Sequence, residues 1–443
     1  MLKDSHGNAV STVSARALAS NEMALWRMMS FYGTPVDDLD AAIAADAHWL
    51  LPRVMKAGFL LSLTEPSLVD EAKSLLGETE PLVGIATARE VAHLAAVQSL
   101  AAGDWDGACA TWDRILLGHP RDALALQWAH LFDFYRGDSE ALRRRVAGAL
   151  PEWTRDDALY PYVLGLYAFG LEETNFHAEA EARGREALAG EARVPWAIHA
   201  VAHVMEMQGR HEEGLAWLET WRPQWTDGNG FSCHLAWHEA LFALEACDGA
   251  RALDIYDTYL HPKATEITLQ RLDAASLLWR LELQGVDVDR RWRTLTGAWN
   301  LDFRHAGLST FNDVHALLAL LGIGDLPRAA AWMRTALARA ADQGGVAATV
   351  ARDVGLPLME GLMAFAQGEY GAAVAAIYPI RARARRFGGS HAQRDLIDQT
   401  LLAAAVRGGE QDLGRTLLNE RRLAKPATPL TEHWARALAG TGA

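Results

Sequence analysis

Apolar residues three and four apart, with polar residues between them, recur along most of the chain and predict helices. The segments Ile85 to Ala102, Ala123 to Tyr135, Ala178 to Leu188, Ala197 to Gln208 and Asp313 to Leu321 all carry this spacing, which puts the apolar residues on one buried face of a helix. The alternation that marks a strand is nearly absent. Val and Ile fall singly among Ala, Leu, Arg and Glu instead of alternating with polar residues over a strand's length.

Breaks between the helical segments recur at a regular interval. Gly103-Asp104-Trp105, Gly137-Asp138-Ser139, Glu172-Glu173-Thr174, Gly209-Arg210-His211 and Asp248-Gly249-Ala250 follow one another at 34, 35, 37 and 39 residues. Gly285, Gly324, Gly368 and Gly408 continue the series at 37, 39, 44 and 40. A period starting at 34 is that of a tetratricopeptide unit, one helix pair per repeat. The clearest repeat runs from Gly103 to Gly137. Ala108 lets two helices approach, Trp112 fills the same face one turn later, and Pro120 ends the second helix. Similar small and large positions recur at Gly214 and Leu218, and at Ala373 and Ile377.

One such pair cannot bury its own apolar face, so the units must stack. The predicted fold is all-α: a tetratricopeptide-like α-solenoid, a right-handed superhelix of helix hairpins forming a single continuous domain over residues 1–443. Residues 1–20 are expected as a flexible N-terminal segment, and 425–443 as a turn (KPATPLT) followed by a tail helix. The loop Pro223 to Gly230 is expected to distort the array locally.

Composition narrows the classes of function. The chain has 443 residues, half of them hydrophobic, too long for one compact core and suited to many amphipathic helices. No run approaches about 18 uninterrupted apolar residues, and the segment Met1 to Ser14 lacks a signal peptide's apolar core. No membrane is expected as a partner, and the cytoplasm is the expected location. Three cysteines, Cys109, Cys233 and Cys247, form no CxxC pair and read as reduced thiols. A net charge of −14 repels a phosphate backbone, so nucleic acid is not an expected partner. The run Arg381, Arg383, Arg385 and Arg386 reads as a solvated helix face.

Histidine is the residue that stacking does not require. His199 and His203 stand at i and i+4, with Glu206 three residues on; His234 and His238 repeat the spacing, followed by Glu239. Each pair projects from one helical face. Such imidazoles serve a ligand or substrate site, a structural polar network, or a metal. His199, His203 and His238 with a carboxylate would be the ligands of a divalent metal, which is not the favoured reading because HxxxH lacks the HExxH glutamate. His203, His238 and His315 are the candidate acid–base residues, with Asp313 orienting His315. Glu173, Asn175, His199, His234, Arg394 and Asp395 are candidate ligand-binding residues. Asn175 also reads as a helix cap, as do Asn312 and Asp313. Arg394 and Asp395 read as an inter-repeat ion pair or, for Arg394, an anion contact. Arg352 with Asp353 reads as an ion pair, and Gly388-Gly389-Ser390 as a tight turn before a helix start. Sixteen tryptophans are present, with Trp196, Trp217, Trp221, Trp225 and Trp237 near the histidines; most are expected in the core.

From about Ser20 to Ala437 the chain resembles the tetratricopeptide repeat protein 38 family. The resemblance is carried by GLYAFGLEETNF (165 to 176), HAVAHVMEMQG (199 to 209), CHLAWHEALFALE (233 to 245), FNDVH (311 to 315), ARDVGLPL (351 to 358), GGSHAQRD (388 to 395) and ERRLAKPATPLTE (420 to 432). It implies a helical-repeat fold and a set of positions, Glu173, Asn175, His199, His203, Glu206, His234, His238, Asp313, His315, Arg394 and Asp395, rather than a reaction. His391 departs from the animal members, which carry Asn there, and this weighs against an indispensable metal role for it. The expected function is a pocket lined by His, Asp and Arg on the concave face, taking a small molecule or peptide. The alternatives are an enzyme of hydrolase or lyase type using the same pocket, and a protein–protein interaction scaffold.

Overall fold

A computed structural model describes residues 2–261, 267–299, 301–426 and 428–440; Ala427 of the KPATPLT segment and residues 441–443 lie outside it. The described residues are all-helical, with isolated backbone bridges but no strand. No helix among them is long and apolar enough to cross a membrane. The three cysteines are free.

The chain divides into two compact units. Unit 1 comprises residues 1–201 and 223–231, and unit 2 residues 202–222 and 232–443. Unit 1 contains the hairpins α1 (Ala15–Ser30) with α2 (Pro35–Ala45), α3 (Leu51–Ser62) with α4 (Pro66–Gly77) and α5 (Ala88–Ala101) with α6 (Trp105–Gly118). Then come α7 (Ala123–Tyr135) with α8 (Ser139–Ala149) and α9 (Tyr160–Glu172) with α10 (His177–Gly190). The division falls inside α11 (Pro195–Met207), after Val201. Unit 2 holds the C-terminal half of α11 with α12 (His211–Trp221), α13 (Ser232–Glu245) with α14 (Gly249–Ile255) and α15 (Thr268–Leu283) with α16 (Arg291–Trp299). It continues with α17 (Thr310–Gly322) and α18 (Leu326–Gln343), the short α19 (Gly345–Val350), α20 (Leu356–Ala366) with α21 (Tyr370–Ile377), α22 (His391–Gly408) with α23 (Gln411–Ala424), and α24 (Pro429–Gly440).

The recurring breaks are one repeated turn. Gly103, Gly137, Asn175, Gly209, Cys247, Gly285, Gly324, Gly368 and Gly409 all have positive φ, and the amide of the next residue often closes back five residues, as Asp104 to Ser99, Asp138 to Asp133 and Asp325 to Leu320. This closure satisfies carbonyls that the helix end would leave bare. The Asp that follows then caps the second helix. Asp104, Asp138, Asp248 and Asp325 each accept an amide from the first turn. The Gly-Asp pairs in the sequence are therefore stop and start signals placed side by side.

Within a hairpin the first helix is the buried one. In α13, α15, α17 and α22 most residues are buried, whereas α12, α16 and α23 bury one stripe, as expected of an inner helix and its covering partner. In unit 2, α13 packs on α15, α15 on α17, α17 on α20 and α20 on α22, and α15 also meets α22. Gly214 on α12 is where the Phe242 ring of α13 crosses; an added Cβ would lie 2.2 Å from that ring.

Ala108 and Trp112 are buried, and the chain turns at Pro120 after α6, matching their expected places in the repeat. Trp217, Trp225, Trp237 and Trp196 are buried as expected. One segment differs from expectation. The N-terminal stretch is packed in unit 1, where Val10 and Thr12 are buried and Asp4 pairs with Arg89 at 3.4 Å. The Pro223 loop folds back onto the turn between α1 and α2: Asn229 donates to Ser30 O at 3.2 Å, and the Gly230 amide to Phe31 O at 2.8 Å.

Candidate functional site

Unit 2 gathers buried charge from five helices onto its inner layer. On α11, His203 and Glu206 are three residues apart; on α13, His234, His238 and Glu245 follow at helical spacing; on α15, Asp273 and Arg280 are two turns apart. Asp395 comes from the second turn of α22, Arg421 from α23, and Lys425 caps its end. His203, Glu206, His238, Glu245, Arg280 and Lys425 are all buried, so each charge must be matched by a partner.

Lys425 is the hub. Its ammonium lies 3.1 Å from Glu245 and 3.7 Å from both Glu206 and Asp395. Arg421 pairs with Glu245 at 2.6 Å and faces Asp395 at 3.7 Å. Burial opposes ionisation of Lys425, but Glu245, Asp395 and Glu206 outweigh it and hold the ammonium above its usual value. Burial likewise opposes the charge on Asp395, and Lys425, Arg421 and Arg280 overcome it, leaving that carboxyl below the ordinary range. Arg280 lies 5.5 Å over the Trp237 ring and donates to the carbonyls of Ala392 and Gln393 at 2.8 and 3.2 Å; burial brings it down to about 10. These carbonyls belong to the first turn of α22, so Arg280 ties α15 to that helix start.

The histidines form a second layer. His238 Nδ1 lies 3.0 Å from Glu206 Oε2, and His234 Nδ1 lies 2.9 Å from Asp273 Oδ2. The His203 and His238 rings are 4.4 Å apart, centre to centre, and His234 meets His238 at 4.9 Å. Burial pushes His238 well down, with His203 and His234 adding to the effect, and burial pushes Glu206 up against the pull of Lys425 and His203. Each member of that pair is thus biased towards its neutral form.

A cavity of about 340 Å³ opens beside this cluster. Asp395, Arg421 and Lys425 line it together with Arg381, Arg385, His391, Arg394, Asp398, Gln399 and Glu420. Arg381 engages both Asp398 at 2.7 Å and Glu420 at 2.6 Å. Ser390 caps α22 in a reciprocal box with Gln393, after Gly388 and Gly389 make the expected turn with positive φ.

Each remaining sequence candidate has its own neighbours. His199 lies in unit 1, within about one ring's width of Phe169, Trp196 and Phe231, with centroids 5.0 to 5.1 Å away. Glu173, also in unit 1, ends α9 and accepts from Ser139 at 3.4 Å. Asn175 is not a helix cap: its φ of 66° makes it the left-handed residue of the turn, and the cap position before α10 falls on Phe176, without a side-chain bond. The cap of α17 is Ser309, not Asn312 or Asp313. Asp313 reaches back to the Gly307 amide at 3.0 Å, while His315 Nδ1 meets the Phe311 carbonyl at 2.8 Å, so Asp313 does not orient His315. Two residues apart on a helix, their side chains diverge. Burial takes His315 down to about 4. Glu239 is held by Arg222 at 2.7 Å. Asp395 pairs with residues of α23 and its end rather than with Arg394, which bonds to Gly389 O. Arg352 and Asp353 pair with each other on the surface.

Sequence reasoning passed over Asp273, Glu245, Arg280, Arg421 and Lys425, and it read Arg381 and Arg385 as a solvated face. The signal for Arg421 and Lys425 was present in ERRLAKPATPLTE, and for Glu245 in CHLAWHEALFALE, but a charged residue at a helix end reads as exposed until its neighbours are known. No family model matches the chain. What fold and site define is an all-helical protein of successive hairpins, carrying a buried cluster of ion pairs and imidazoles beside a basic cavity.

Proposed function

We propose that the chain is a tetratricopeptide-like helical-repeat protein, related to the tetratricopeptide repeat protein 38 family, that binds a small anionic molecule in the unit 2 cavity. The repeated left-handed turns and the buried first helix of each hairpin support the repeat reading; a right-handed superhelix and a cytoplasmic location belong to the same proposal. The observation carrying the ligand reading is the order of charge in the cavity. Asp398 and Glu420 are engaged by Arg381, and Asp395 by Arg421 and Lys425. Cationic side chains outnumber anionic ones in the lining, Arg385 and Arg394 among them, and the volume suits a small ligand rather than a long peptide. An anion would be oriented by Arg394 among fixed, paired charges.

A second reading, an enzyme, is favoured by one observation: two histidines each have a carboxyl group on Nδ1, which fixes the ring as acid–base work requires. The test of the binding reading is a thermal-shift screen of small carboxylates and phosphates, with hits titrated by calorimetry. Arg394→Ala and Arg385→Ala should each weaken the hit by about 10- to 100-fold, the worth of a charged hydrogen bond of about 1.5–3 kcal/mol. Affinity unchanged in both variants would remove the ligand from this cavity.

A further inference from the structure

The three imidazoles of unit 2 are arranged for more than a hydrogen-bond network. His203, His234 and His238 reach one another from two adjacent helices, and one nitrogen from each lies within 4.8 Å of the others. His234 is anchored through Nδ1 to Asp273 and His238 through Nδ1 to Glu206. A carboxylate on one ring nitrogen fixes the tautomer and presents the other nitrogen to a metal, the outer-shell arrangement around metal-bound histidine in general. Two such carboxylate–histidine pairs, converging with a third imidazole, form a ligand set with its supports already in place.

We infer that His203, His234 and His238 bind a divalent transition metal of the zinc or cobalt class, supported by Glu206 and Asp273. An ion at about 2.0–2.1 Å from each nitrogen would draw together rings whose nitrogens already lie within 4.8 Å. Three imidazoles suit zinc, copper, iron or nickel better than magnesium or calcium, which take oxygen ligands. They leave a coordination position for water or another ligand. Two carboxylates held against the ligands offset the dication's charge, where Arg280 and Lys425 alone would repel it. This site is separate from the cavity of the proposed function, whose lining includes none of the three histidines.

The test uses the full chain without a histidine tag, stripped with chelator and titrated with cobalt(II) alone. About one equivalent should bind and produce the visible bands of a four-coordinate ion. His203→Ala and His238→Ala should abolish those bands, while the surface variants His48→Ala and His305→Ala should keep them. Glu206→Gln and Asp273→Asn should retain the bands with affinity weakened about 10- to 100-fold. No bands in the wild type, or bands that survive loss of the core histidines, would overturn the assignment. Should the core variants not fold, X-ray absorption of the cobalt-loaded wild type decides: about three imidazole nitrogens at close to 2.0 Å support the site, and an oxygen-only shell refutes it.

Discussion

Asp313 ties local burial to a measurable pH dependence. Burial raises its carboxyl to about 7, against the smaller pull of the Gly307 amide. Its folded value lies above its unfolded one, so the native state keeps a proton that the unfolded chain releases. The stabilisation is complete below about pH 4 and is lost as pH rises through about 7. Between pH 5 and 8 the wild type should therefore lose melting temperature that Asp313→Asn retains, measured by calorimetry across that range. Parallel declines in the two proteins would show that another group titrates. Nothing in FNDVH distinguished this outcome from a helix cap. A carboxylate near a helix start is a cap or a buried acid according to what the preceding loop does, and that loop is held by tertiary contacts.

At the scale of the hairpin, the turn sets the geometry and its residue sets the cost. Most turns use Gly at the left-handed position, where an L side chain is strained; Asn175 and Cys247 are exceptions, with φ of 66° and 57°. Asn tolerates this region and Cys does not. Cys247→Gly should stabilise the protein by about 1 kcal/mol in urea unfolding, and Asn175→Ala should destabilise it by about 1 kcal/mol. If Cys247→Gly were destabilising instead, side-chain packing at that position would outweigh the strain. The glycine turns were legible as a period in the sequence, because a helix end that needs positive φ selects Gly strongly. The turns at Asn175 and Cys247 were legible only as gaps between helical patterns, since neither residue announces its backbone conformation.

At the scale of unit 2, Lys425 decides whether the charged interior is compensated. It faces Glu245, Glu206 and Asp395 from the end of α23. Removing one member of a buried ion cluster strands the others without solvent. Lys425→Met should cost about 3–5 kcal/mol in chemical denaturation followed by circular dichroism, and adding Glu245→Gln should recover part of the loss. A Lys425→Met protein as stable as the wild type would mean that water, not the ammonium, satisfies those carboxylates. The all-helical class and the hairpin period were determined by the sequence alone, because amphipathic spacing and turn residues act over a few positions of the chain. So was the pairing of His234 with His238, which one helical turn guarantees. The joining of α11, α13, α15, α22 and the end of α23 around one charged centre was decided by tertiary structure. Residues far apart in the chain, such as Glu206 and Lys425, become neighbours only when buried helices share a layer, and local patterning carries no record of which inner faces will meet.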